Sequence, residues 1–129
     1  MKENEINYGI NYWVLPGLPQ NVFNVSMYRI MKTISTYYNI DVEVIKSKTR
    51  KREIVQCRHI FYYFSKRLTR HSLASIGDYS AKGWKGDHAT AIHGARVAKN
   101  LIETDKYYRN DVANIEKLIY NSGAEVTRW

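Results

Sequence analysis

Ile54, Cys57, Phe61, Phe64 and Leu68 recur at intervals of three, four, three and four residues. That spacing lines five apolar side chains along one stripe of an α-helix and would scatter them over both faces of a strand. A stripe of this kind must be covered by other elements, so it predicts a helical domain built around this segment. Arg58, Lys66 and Arg70 are expected off the core face. Cys57, on the stripe, reads as a small core hydrophobe and not as a nucleophile.

The flanking segments carry the same period. Val25, Tyr28, Met31, Ile34 and Tyr38 are three and four apart and predict a helix, which Asn39-Ile40-Asp41 breaks. Asp41 is placed to cap a short turn carrying Val42 and Ile45, and residues 46–52 read as a loop. Ser72 caps a short helix opening with Leu73. The turn Ala81-Lys82-Gly83-Trp84-Lys85-Gly86 follows, with two glycines able to take positive φ. Asp87 caps a further helix whose inner face holds Ala91, Ala95, Ala98 and Ile102. A last helix starts at Asp105 or Asn110, turns Val112, Ile115 and Ile119 inward, and is expected to stop at Gly123.

The expected architecture is therefore all-α: five or six helices over residues 25–122, with a helix-turn-helix at about 72–103. Residues 1–24 form an N-terminal arm and 123–129 a short tail. Pro16 and Pro19 favour extended backbone in the arm. Around them stand Tyr8, Tyr12, Trp13, Leu15 and Leu18, more apolar bulk than a solvated tail normally carries. Two readings of the arm stay open: it covers a groove between helices, or it docks a partner protein.

The 129 residues suit one domain, which at this size buries about two-thirds of its unfolded surface. A single cysteine excludes an internal disulfide and a cysteine-rich zinc module, and a reducing, cytoplasmic setting is expected. The uncharged run from residue 6 to 28 is long enough to span a bilayer. Its Asn7, Asn11, Gln20, Asn21, Asn24 and two prolines argue against insertion, and no signal peptide precedes it, so no membrane association is expected.

Charge is the second strong signal. The formal net charge is +8, and residues 46–70 contain nine basic residues against Glu53 alone. That window holds the entire excess, since the rest of the chain balances eleven basic against eleven acidic residues. A focused positive field attracts a polyanion, most often nucleic acid or an acidic membrane surface. A solvated basic helix face is the plainer alternative. A basic loop beside a helix-turn-helix favours DNA.

Catalytic readings find no constellation. His88 and His93 are five apart, about 140° around a helix, and share no metal-binding face. His59 and His71 read as surface or hydrogen-bonded residues, not ligands. No Gly-x-x-x-x-Gly-Lys-Ser/Thr order occurs, so no phosphate cradle, cofactor or enzymatic activity is expected.

Four segments, in order, carry a family resemblance: Ser47-Lys48-Thr49-Arg50-Lys51-Arg52, Gln56-Cys57-Arg58-His59, Ser72-Leu73-Ala74-Ser75-Ile76-Gly77-Asp78 and Asp87-His88-Ala89-Thr90-Ala91-Ile92-His93. Over residues 34 to about 119 the chain resembles the C-terminal DNA-binding domain (domain IV) of the bacterial replication initiator DnaA. The Asp-His pair opening the recognition helix, with a His following, is the most specific element.

The resemblance implies that Asp87 and His88 contact base edges in the major groove, with Ala89, Thr90 and His93 beside them. Arg50 matches the minor-groove arginine of a basic loop that also holds Lys48, Lys51 and Arg52. Arg58, Leu73 and Ala74 match positions touching backbone or bases. Ala89 stands where a second Thr is common, and Ala74 where Pro is. The turn is about three residues longer than the family pattern and adds Trp84 and Lys85 as candidate contacts.

The function so implied is sequence-specific binding of double-stranded DNA at DnaA-box-like sites, in replication initiation or its regulation. With no ATPase module, the chain is expected to be a stand-alone binder, of a phage or mobile element, in a bacterial or phage-infected cell. An adaptor whose aromatic arm docks a replication or virion protein, and a non-specific DNA-packaging protein, are the alternatives.

Overall fold

A computed structural model describes residues 25–128, with side chains to residue 121. The arm with its aromatic residues lies outside the described residues. Among these, six helices and no strand occur: α1 (Met27–Tyr38), α2 (Val42–Ile45), α3 (Arg52–Leu68), α4 (Leu73–Tyr79), α5 (His88–Thr104) and α6 (Lys106–Arg128). No helix among them is long and apolar enough to cross a membrane.

The α3 helix is the hub, packed against α1, α2, α4 and α5. All five residues of its stripe are buried, and Phe61, Phe64 and Leu68 completely so. Each such large apolar side chain contributes about 1.5–3 kcal/mol of transfer free energy. Ile60, Tyr62 and Tyr63 are buried too, because a helix covered on several sides has little outward face left. Burial pushes the Cys57 thiol up to about 11, as expected of an unreactive core residue.

This crowding corrects one expectation. Arg58 does not face away from the core; it is buried, and its guanidinium is committed to backbone carbonyls. Arg67 is also inside, 3.7 Å from Glu116 of α6. Two of the nine basic residues in the 46–70 window are therefore structural.

Ser26 caps α1 by accepting from the Arg29 amide, and Asn39 ends the helix in left-handed geometry. Val25 precedes that cap, which shifts the helical phase. Ile30, Met31 and Ile34 are buried as a result. Tyr28, expected on the inner stripe, lies about 200° around the helix from Ile30 and is 66 % exposed. Asp41 starts α2 without a side-chain cap bond, and Ile45 anchors that turn in the core.

The Asp105 carboxylate accepts from the amides of Tyr107 and Tyr108, which settles the start of α6. Val112, Ile115 and Ile119 face inward as expected. The Asp111 carboxylate accepts from the hydroxyls of Tyr37 and Tyr38, tying α6 to α1. The expected stop at Gly123 is not observed: α6 runs through it to Arg128. Glycine ends a helix by taking positive φ, and inside one it costs only about 1 kcal/mol relative to alanine.

Candidate nucleic-acid interface

Ser72 caps α4 by accepting from the Ser75 amide, and Asp87 caps α5 by accepting from the Thr90 amide at 3.0 Å. The two helices form the helix-turn-helix, joined by residues 80–87. The corner closes backbone to backbone: a Cβ at Gly77 would overlap the Asp87 carbonyl, and one at Gly86 would overlap the Gly77 carbonyl. Of the two turn glycines, Gly83 alone takes positive φ, at 81°. Gly86 is needed for close approach, a different reason from the one expected.

Small residues let α5 sit directly on α3. Ala91, Ala95 and Ala98 are buried, and Gly94 lies against Tyr62 and His59. Tyr62 and Ser80 share a hydroxyl–hydroxyl hydrogen bond of 2.7 Å, which ties the start of the turn to the same helix. The outward side of the first turn of α5 then carries His88 and Ala89, both exposed, with Thr90 half-buried and His93 exposed one turn further on.

The basic loop, residues 46–51, lies beside this helix. Arg58 reaches up from α3 and donates to the carbonyls of Ile45, Ser47 and Thr49 at 2.8, 2.9 and 2.6 Å. Its planar fork suits several acceptors at once. With those carbonyls gathered beneath it, the loop leaves Lys48, Arg50 and Lys51 exposed, and Arg52 is exposed at the start of α3. Arg50, Val55, His59, Trp84, Thr90 and His93 line one cleft of about 400 Å³. Loop and recognition helix thus border a common space.

Residues 27–97, more than half of the chain, match the family described as bacterial dnaA protein helix-turn-helix. The chain belongs to this family. It is 43% identical over 93 residues to the chromosomal replication initiator protein DnaA of Flavobacterium psychrophilum, covering 72% of this chain and 19% of that protein. Against the same initiator of Bacteroides thetaiotaomicron it is 31% identical over 116 residues, covering 89% and 24%. Against that of Porphyromonas gingivalis it is 36% identical over 92 residues, covering 71% and 19%. The chain spans about a fifth to a quarter of the length of these relatives.

Within this DnaA-type domain the candidate contact residues divide by placement. Lys48, Arg50, Lys51, Arg52, Ala74, Lys85, His88, Ala89 and His93 are exposed, whereas Leu73 is half-buried against the core. Asp87 is exposed, yet its Oδ1 also accepts from the Thr90 hydroxyl at 2.9 Å. The two bonds from Thr90 hold the carboxyl below its ordinary range. Asp87 is therefore a helix cap first, and its exposed carboxylate is held in that fixed position.

Arg58 is the clearest departure from the residue pattern, since it faces the underside of the loop. The signal that could have placed it is its spacing, four residues after Ile54 and three before Phe61, at the edge of the apolar stripe. Trp84 likewise turns inward and donates to a loop carbonyl. Nothing local in the sequence pairs it with position 46.

His59 is half-buried with its ring edge-on to His93, centroids 6.1 Å apart. Burial, then the neighbouring His93 and Arg58, pushes it down to about 4. No group of three or more His, Cys, Asp or Glu side chains placed to hold a metal occurs among the described residues.

Proposed function

We propose that this chain binds double-stranded DNA sequence-specifically at DnaA-box-like sites, in the bacterial cytoplasm, and acts in the initiation of replication or its control. Two readers work together in this proposal. The start of α5, from Asp87 to Thr90 with His93, enters the major groove and meets base edges. Arg50 enters the adjacent minor groove from the basic loop. Lys48, Lys51, Arg52, Lys66, Arg70 and Lys85 neutralise phosphates and set the register, with Leu73 and Ala74 against the backbone beside α4. Arg58 serves indirectly, by shaping the loop that carries Arg50.

The observation that carries this reading is the cleft shared by Arg50, Thr90 and His93. Two separate chain segments present polar and cationic groups around one space, the arrangement needed to grip neighbouring grooves of one duplex. The link to replication rests on the initiators to which the chain is similar. Binding is the whole activity: ATP leaves DNA affinity unchanged, and a DNA-stimulated ATPase in the pure protein would sink this part of the proposal.

The test is a titration on a DnaA-box duplex and a scrambled duplex at two salt concentrations. The box is expected to bind more tightly at both. Equal affinity for the two duplexes would replace the reading with non-specific packaging.

A further inference from the structure

The long turn of the helix-turn-helix does something besides connect two helices. Trp84 Nε1–H donates to the Lys46 carbonyl at 2.8 Å, and the Lys82 amide donates to the same oxygen at 3.0 Å. Glu43 of α2 pairs with the Lys82 ammonium. Arg58 lies over the Trp84 ring, its guanidinium carbon 5.3 Å from the ring centre. The Lys46 ammonium stands 3.9 Å from the centre of the Tyr79 ring, at the end of α4.

These contacts complete a pattern along the loop. Arg58 takes the carbonyls of residues 45, 47 and 49, all from α3 below. The carbonyl of residue 46 is taken by the turn. The loop is thus held from two directions, once by the core helix and once by the recognition unit itself. Mutual repulsion among Lys46, Lys48, Arg50 and Lys51 opposes any compact loop conformation, so a loop anchored on one side only would spread.

We propose that Trp84 is a positioning residue for DNA reading: its indole N–H latches the basic loop to the helix-turn-helix, fixing Arg50 relative to the start of α5. The inference rests on the groove assignment made above and extends it. The turn supplies the latch, because it carries Trp84 back to the loop carbonyl of Lys46. Minor-groove and major-groove readers then move as one rigid piece, and the spacing between the two base sets is set by contacts within the protein, the indole hydrogen bond among them.

The test uses the full chain and four proteins: wild type, Trp84→Phe, Arg50→Ala and the double variant. Each is titrated on the box duplex, on boxes altered only at the minor-groove positions, and on a scrambled duplex. Trp84→Phe keeps the ring and removes the donor. It is expected to lose about tenfold of the discrimination at the minor-groove positions, with scrambled-duplex affinity and thermal melting unchanged. The double variant is expected to discriminate no worse than Arg50→Ala alone, because with the Arg50 side chain gone the latch has no base-reading group left to position.

Independent, multiplying effects of the two substitutions would overturn the latch, as would full discrimination by Trp84→Phe when Arg50→Ala has lost it. If Arg50→Ala itself keeps full discrimination, the groove assignment falls, and the latch with it. A second readout needs no variant at all. In free wild-type protein the Trp84 indole N–H should exchange with solvent far more slowly than a free indole, and exchange at the free rate would also overturn the proposal.

Discussion

Gly94 of α5 lies directly against the ring of Tyr62 on α3, so close that a β-carbon at position 94 would stand 2.9 Å from Tyr62 Cε2 and closer still to Cδ2. Neither partner can give way easily, because Tyr62 is buried and its hydroxyl is bonded to Ser80. The seat of the recognition helix is therefore set by the absence of a side chain.

Gly94→Ala tests this seat. Helix propensity alone predicts a gain of about 1 kcal/mol, whereas overpacking predicts a loss of about 1–3 kcal/mol. The loss is expected to win, and urea denaturation reads the sign. DNA affinity should fall as well, since α5 must tilt away from α3. A stabilised variant would mean that the contact is looser than described.

Arg58→Met removes the fork under the basic loop and leaves three carbonyls without their donor. Hydrogen bonds from a charged group support a loss of about 2–3 kcal/mol in unfolding free energy. Arg58→Lys should recover only part of it, because an ammonium cannot span three acceptors as a planar fork does. If Met at this position left both stability and DNA binding unchanged, Arg58 would not organise the loop.

Base-reading and phosphate-contacting residues should separate cleanly. Arg50→Ala and His88→Ala are each expected to cost about 1–3 kcal/mol on the preferred duplex and to relax sequence preference. Lys66→Ala should weaken binding to every duplex alike and reduce the salt slope by about one. Full discrimination retained by His88→Ala would remove α5 from the major groove.

Acid sensitivity should trace to His59. Burial holds its folded-state value near 4, whereas an unfolded histidine titrates near 6.5. Between those values the unfolded chain binds the proton and the folded chain does not, so stability falls as pH drops from about 6.5 to about 4. His59→Gln should flatten that part of the profile in urea midpoints collected from pH 7.5 to pH 4.5. An equally steep profile in the variant would place the sensitivity elsewhere.

Periodicity and caps determined much of this protein without help from tertiary structure. Ile54, Cys57, Phe61, Phe64 and Leu68 could line up only on a helix, and each is buried in α3. Ser72 and Asp87 cap α4 and α5 as their side chains and positions require, because a cap is a contact over three residues. The excess charge in residues 46–70 and the Asp87-His88 segment were likewise visible in the chain alone.

Tertiary structure decided which of those charges are available and how the loop is held. Arg58 and Arg67 look like their exposed neighbours in sequence, yet packing around a hub helix turns both inward, one to loop carbonyls and one to Glu116. Trp84 reaches a carbonyl 38 residues away, and Gly77, Gly86 and Gly94 matter because of atoms on other segments. Such roles depend on distance in space, which sequence spacing constrains only within a turn or two of helix. Helices follow from local rules; the joint between the basic loop and the recognition helix exists only once α3, α4 and α5 have packed.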